Sequence, residues 1–196
     1  MTRAIQQIAT ICTLFFVTAC VAEPQVMPNK PTEYLDEVTA ATITAVAQPL
    51  IFARERRDLA ANARDYVTLA AAAVNRSGKI QYKLVTYVWS TVDTRTRALE
   101  ANNSTIVLIG DDRRIRLAPT GRTAQQHGIA QPIHEPPGPT LAPVVYETDL
   151  ETLRFLAAAR SLAVQLGDDS IALSYSIWDD RRDSLAQFVR FLKGER

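Results

Sequence analysis

Apolar and polar positions alternate along most of this chain in short runs, and turn residues separate the runs. Thr42-Ile43-Thr44-Ala45-Val46 is β-branched and alternating, which predicts a strand. Pro49 precedes the apolar run Leu50-Ile51-Phe52, and a proline there points to an edge position or a bulge. Residues 59–74 carry two signals. Their alanine content favours helix, while Asp65-Tyr66-Val67-Thr68-Leu69 reads as strand. Asn75-Arg76-Ser77-Gly78 is turn chemistry. Beyond it Ile80, Tyr82, Leu84, Thr86 and Val88 fall on one face of a strand, and Gln81, Lys83, Val85, Tyr87 and Trp89 on the other. The pattern predicts a long hairpin of 65–74 and 79–92, its small alanines opposite large aromatics. The rival is a helix over 58–73 packed on the second strand.

The rest of the chain follows suit. Ser104 to Leu117 predicts a second hairpin around Gly110-Asp111-Asp112. Residues 118–143 lose all periodicity and hold Pro119, Pro132, Pro136, Pro137, Pro139 and Pro143, a long loop of the kind that is functional or disordered. Val144-Val145-Tyr146 restarts a strand. Thr148 and Glu151 fit a capping box for a helix over about 149–159, with Leu150, Leu153, Leu156 and Ala157 on one face. Ser161–Leu166 and Ile171–Trp178 predict a third hairpin. Asp183 is placed to cap a last helix whose apolar face is Leu185, Phe188, Val189 and Leu192. The fold class expected is α+β: a mainly antiparallel β-sheet, or a sandwich of hairpins, with two short covering helices near the C-terminus.

Ahead of these elements lies a different kind of sequence. Arg3 precedes an apolar run from Ile8 to Val17, which ends in Val17-Thr18-Ala19-Cys20. The run is short of the ~20 apolar residues a membrane span needs and has the build of a secretory signal. Its last four residues, aliphatic, small, small and cysteine, resemble the lipobox of bacterial lipoproteins. That resemblance implies cleavage before Cys20 and lipidation of Cys20 by diacylglycerol and an acyl chain, which exceeds the two signals that stable anchoring takes. Val21 stands where an aspartate would retain such a protein in the inner membrane, so the resemblance implies the periplasmic face of the outer membrane. The organisation expected is a signal over 1–19, a lipidated N-terminus and tether over 20–37, and one globular domain over 38–196. Pro24, Pro28 and Pro31 suit a tether, which as coil reaches roughly 20–25 Å.

Charge and chemistry narrow the function. Without Arg3 the basic residues equal the 21 acidic ones, and a neutral chain gives no footprint for nucleic acid. With Cys12 in the signal and Cys20 as anchor, no thiol remains for catalysis, metal or disulfide. His127 and His134, the two histidines, stand in the aperiodic loop near Glu135 without metal-ligand spacing, and a solvent-exposed loop is the expectation for both. No nucleophile elbow, phosphate-binding glycine loop or zinc-protease helix motif occurs. Asp-Asp-Arg-Arg, at 111–114 and again at 179–182, reads as turn and cap chemistry. Arg54, Arg56, Arg57 and Arg64 form a basic cluster. The first three are candidates for a partner or headgroup contact, set against neutralisation by Glu55, Asp58 and Asp65. Tyr66, Tyr82, Tyr87, Trp89, Tyr175 and Trp178 suit the core better than a groove. The function expected is a non-catalytic envelope lipoprotein, without cofactor or metal, that binds or scaffolds an envelope protein or polymer. The second expectation is a carrier of a small or lipidic ligand between sheet and helices, and the third a periplasmic hydrolase.

Overall fold

Alternating runs become strands where a neighbour takes up their backbone groups, and seven of the ten described strands find two or more. The computed structural model describes residues 29–92, 104–138, 140, 142–167 and 172–194. The signal-like segment, Cys20, the first part of the expected tether, the Asp168-Asp169 turn and Ile171 lie outside them. The strands are β1 (Thr32–Asp36), β2 (Ala41–Ala45), β3 (Leu50–Glu55), β4 (Arg64–Arg76), β5 (Lys79–Ser90), β6 (Ile106–Gly110), β7 (Arg113–Leu117) and β8 (Val144–Thr148). Helix α1 (Leu150–Ala158), strands β9 (Leu162–Leu166) and β10 (Leu173–Asp179), and helix α2 (Arg182–Leu192) complete the chain. It is α+β as expected, with one antiparallel sheet rather than a sandwich. The order is β1-β2-β4-β3-β10-β9-β6-β7, with β5 on the other side of β4 and β8 beyond β5. Past β7, Pro119 bridges to Tyr146 of β8, so the far edges of the open sheet meet at one point.

β4 is the spine. It pairs with β5 along its whole length, while β3 and β2 lie end to end along its opposite edge. Ala45 faces Ala72 and Leu50 faces Leu69, so Val46 to Pro49 bulge opposite Ala70 and Ala71. Pro49, which lacks an N–H, marks this bulge. The freed Gln48 amide donates to Ser184 Oγ of α2 at 3.0 Å. The rival helix over 58–73 does not form. From Asp65 to Val74 every residue is buried, and pairing on both edges overrides alanine's helical propensity. Among the alanines only Ala73 meets an aromatic, Tyr82; Ala70, Ala71 and Ala72 face Val85, Leu84 and Lys83. The hairpin turns through Ser77 (φ 50°) and Gly78 (φ 84°), the paired positive angles of a type I′ turn.

Register separates two faces. Leu50, Leu69, Thr86 and Val144 stand in one row, and Ala71, Leu84 and Tyr146 in another on the same face. Leu156 and Leu185 of the helices close on that face beside Leu50, Leu69, Ala71 and Leu84. Leu185, Phe188 and Val189 are buried as the helical spacing predicts. The other face carries Tyr66, Thr68, Ala70, Ala72 and Val74, and it is buried too. Its cover is the proline-rich segment 118–143, which crosses it as a strap.

Three local expectations change. The tether does not run to residue 37: Thr32–Asp36 pair with Ala45–Ala41, because β2 offers a free edge and Asp36 finds donors in the strap. The α1 cap is Asp149, whose carboxylate accepts from Thr152 N at 2.6 Å, and not Thr148. α2 starts after Arg181 without a side-chain cap; Asp183 sits within its first turn.

Candidate functional site

The strap is held by side chains far from it in sequence. The Asp36 carboxylate, wholly buried, accepts from Ala130 N at 2.7 Å and Gln131 N at 3.2 Å, and from Val38 N and Thr39 N at 3.1 Å each. Burial pushes its pKa up, but the Ala130, Gln131 and Thr39 amides outweigh burial and hold it below the usual aspartate value. Thr39 Oγ1 donates to Gly128 O at 2.9 Å, and Ile133 N donates to Tyr87 Oη at 3.2 Å. The His134 ring meets Tyr87 edge-on at 5.9 Å. At Gly128 (φ 94°) the strap comes so near the sheet that a Cβ would stand 2.8 Å from Val74 Cγ1. Only short side chains on the outer face of β4 admit a backbone this close.

Near its start the strap folds on itself. Thr123 N donates to Gln126 Oε1 at 2.9 Å and Gln126 N to Thr123 Oγ1 at 3.3 Å, a reciprocal cap on the short 3-10 turn Gln125–His127. That Thr-x-x-Gln signal is present in the sequence, but no apolar periodicity follows it to mark a helix. His127 is buried, and its Nε2 lies 2.5 Å from Thr120 Oγ1. Burial first, then the Lys83 and Arg122 charges, lower its pKa, so it is neutral at pH 7. Lys83, itself buried on β5, reaches Glu147 at 2.9 Å and holds that carboxyl below the usual range.

Between strap and sheet remains a groove of about 520 Å³. Tyr87 and Val145 of the sheet form its apolar floor, with Val144 at the rim; Thr120, Arg122 and Gln131 stand in its strap walls. Burial pushes the Tyr87 hydroxyl up to about 12, so it serves as a neutral hydrogen-bonding group. The lining of apolar surface with a few hydroxyl, amide and guanidinium groups is that of a binding site. Thr120 and His127 are a hydroxyl–imidazole pair, but His127 lies behind Thr120, outside the lining.

The residues singled out in the sequence lie elsewhere. Arg56 is not on a solvated face: it is 3 % exposed, and its guanidinium donates to Asp65 and Asp58 at 2.9 Å. The burial follows from the chain turning inward after β3, where Asp65 of β4 awaits it. Arg57 is exposed and paired with Glu55 at 2.7 Å. Arg54 is half-buried, its Nη1 shut off without a hydrogen-bond partner. Neither histidine is solvent-exposed as expected, because the strap packs inward: His134 is half-buried with Nε2 enclosed. Asp111 accepts from the Arg160 and Ser161 amides, bracing a turn, and Asp180 accepts from the Arg182 amide and guanidinium ahead of α2. The first Asp-Asp-Arg-Arg stretch is thus turn chemistry, and the second is local ion pairing rather than a helix cap. Tyr66 and Trp89 stack at 4.0 Å, with Trp178 edge-on to Tyr66 at 6.1 Å. Among the described residues no three His, Cys, Asp or Glu side chains cluster as a metal site, and no helix is long and apolar enough to cross a membrane. No family model, no curated protein and no solved structure matches this chain.

Proposed function

We propose that this is an envelope lipoprotein, anchored through Cys20 on the periplasmic face of the outer membrane. Its domain is a non-catalytic binding module that takes an extended segment of another envelope protein or polymer into the groove under the strap. The observation that carries the reading is where the free volume lies. A pocket between sheet and helices, lined by Leu50, Leu69, Leu84, Leu156 and Leu185, holds about 10 Å³, no more than one water needs. The strap groove has about 520 Å³. A ligand at that helix-side pocket would meet far less space than a partner at the groove. The lipobox-like tetrad, the balanced charge and the neutral, enclosed His127 support the same reading.

The test is photo-crosslinking in intact envelopes. A photoreactive residue replacing Gln125 or Gln131 at the groove should yield a discrete adduct. One replacing Arg190, exposed on α2 over the opposite face of the sheet, should not. Equal adducts at all three positions, or none at the groove, would overturn the groove as the binding site.

A further inference from the structure

The described chain begins at the first turn of α2, five residues along the sequence from an exposed tryptophan. Asn29 Nδ2 donates to Asp183 Oδ2 at 2.7 Å, and Asp183 stands in the first turn of α2, just after β10. Trp178, on that strand, is 55 % exposed. The β10–β3 register slips between Ile177 and Asp179, so Trp178 sits in a bulge, outside the ladder. Its indole is held in place: Tyr66 meets its edge, and the Arg64 guanidinium lies 4.6 Å from its ring centroid.

Chain length ties this corner to the anchor. Nine peptide units separate Cys20 from Asn29, and at about 3.3–3.6 Å each they span at most ~30 Å when taut. The expected tether to residue 37 would have left far more slack. Charge near the corner is mostly paired, with Arg181 against Asp179, Arg182 against Asp180, and Arg57 and Arg64 sharing Glu55. An indole with a stacked guanidinium suits the boundary between headgroups and acyl chains, where amphipathic rings collect.

We propose that the Trp178–Arg64 corner seats on the bilayer surface that holds the anchor, a step that rests on Cys20 being lipidated. Trp178 enters the headgroup layer, and the domain is fixed in orientation rather than swinging on its tether. The groove lies further along the same outer face of the sheet, on β5 and β8, with Tyr66 and Trp89 between it and Trp178.

The chain has two tryptophans, Trp89 and Trp178, so each can be made the sole emitter. The full lipidated chain carrying Trp89→Phe, or Trp89→Tyr if the first is unstable, is reconstituted into phosphatidylcholine–phosphatidylglycerol vesicles with acyl-brominated lipid. Trp178 emission should shift to the blue and be quenched several-fold more than Trp89 emission in Trp178→Phe. Palmitate labelling and vesicle flotation are scored on the same samples. A labelled, floating protein whose Trp178 is not quenched overturns the seat and leaves the lipoprotein reading standing. A protein that neither labels nor floats overturns both. Shielding of Trp178 that appears only with added peptidoglycan fragments, or only as protein density on the vesicle rises, also overturns the seat, in favour of a glycan or a second copy.

Discussion

Removing the Asp36 carboxylate should loosen the strap before anything else. Four amides donate to it, from Ala130, Gln131, Val38 and Thr39. A hydrogen bond to a charged group contributes about 1.5–3 kcal/mol net. The two turn amides regain water easily, since Val38 is 65 % exposed, and contributions at one carboxylate do not add. Asp36→Ala should therefore cost about 3–5 kcal/mol, a large share of a typical 5–15. Asp36→Asn, which keeps one acceptor oxygen, should cost less. Glu37→Gln, adjacent but exposed, should stay within about 0.5 kcal/mol. Urea midpoints measure these, and hydrogen exchange at Ala130 and Gln131 locates them. The pH dependence follows from the lowered folded pKa. The unfolded chain takes up this proton first, at about 3.9. The stabilisation is thus whole above that pH and is lost as pH falls through the folded value. Asp36→Asn should lack this part of the acid sensitivity. Equal midpoint shifts for Asp36→Ala and Glu37→Gln, or unchanged exchange at 130 and 131, would refute the clasp.

Phe188→Ala should cost about 3–5 kcal/mol, because the ring is fully buried, and exposed Arg190→Ala almost nothing; urea midpoints separate them. Arg56→Ala leaves buried Asp65 unpaired and should cost about 3–5 kcal/mol, while Arg57→Ala, on the surface, should leave the thermal midpoint unchanged. Gly128→Ala combines a positive φ with a 2.8 Å approach to Val74 and should speed proteolysis within 118–143 while the β4–β5 amides stay protected. Cys20→Ser should lose palmitate label and membrane pelleting without altering the melt of the folded domain.

Most strands were legible because period-two alternation survives wherever one face is apolar. The β4–β5 hairpin was legible despite its alanines, since the turn residues Ser77 and Gly78 and the run from Ile80 to Trp89 admit little else. β1 was hidden: Thr32-Glu33-Tyr34-Leu35-Asp36 is short, follows three spaced prolines, and owes its conformation to the edge of β2, across a turn. The strap has no period because its fastenings are single bonds to Asp36, Thr39 and Tyr87, and sequence order says nothing about which donor meets which acceptor across 94 residues. For the same reason Arg56 could not be told from Arg57. The groove exists only because the strap crosses β5 and β8, so no run of residues announces it.

The clasp at Asp36 has a mechanical consequence. The N-terminal segment enters at Asn29, runs into β1, and β1 is bonded to β2 alone; its last residue grips the strap. Tension drawn through that segment is delivered first to the Asn29–Asp183 contact and then, residue by residue, to the β1–β2 edge ladder. When β1 yields, the carboxylate leaves the amides of Ala130 and Gln131, and one wall of the groove loses its fastening while the β4 spine stays paired. A pull on the N-terminal end and anything seated in the groove would thus act on the same five-residue strand, a fuse between them.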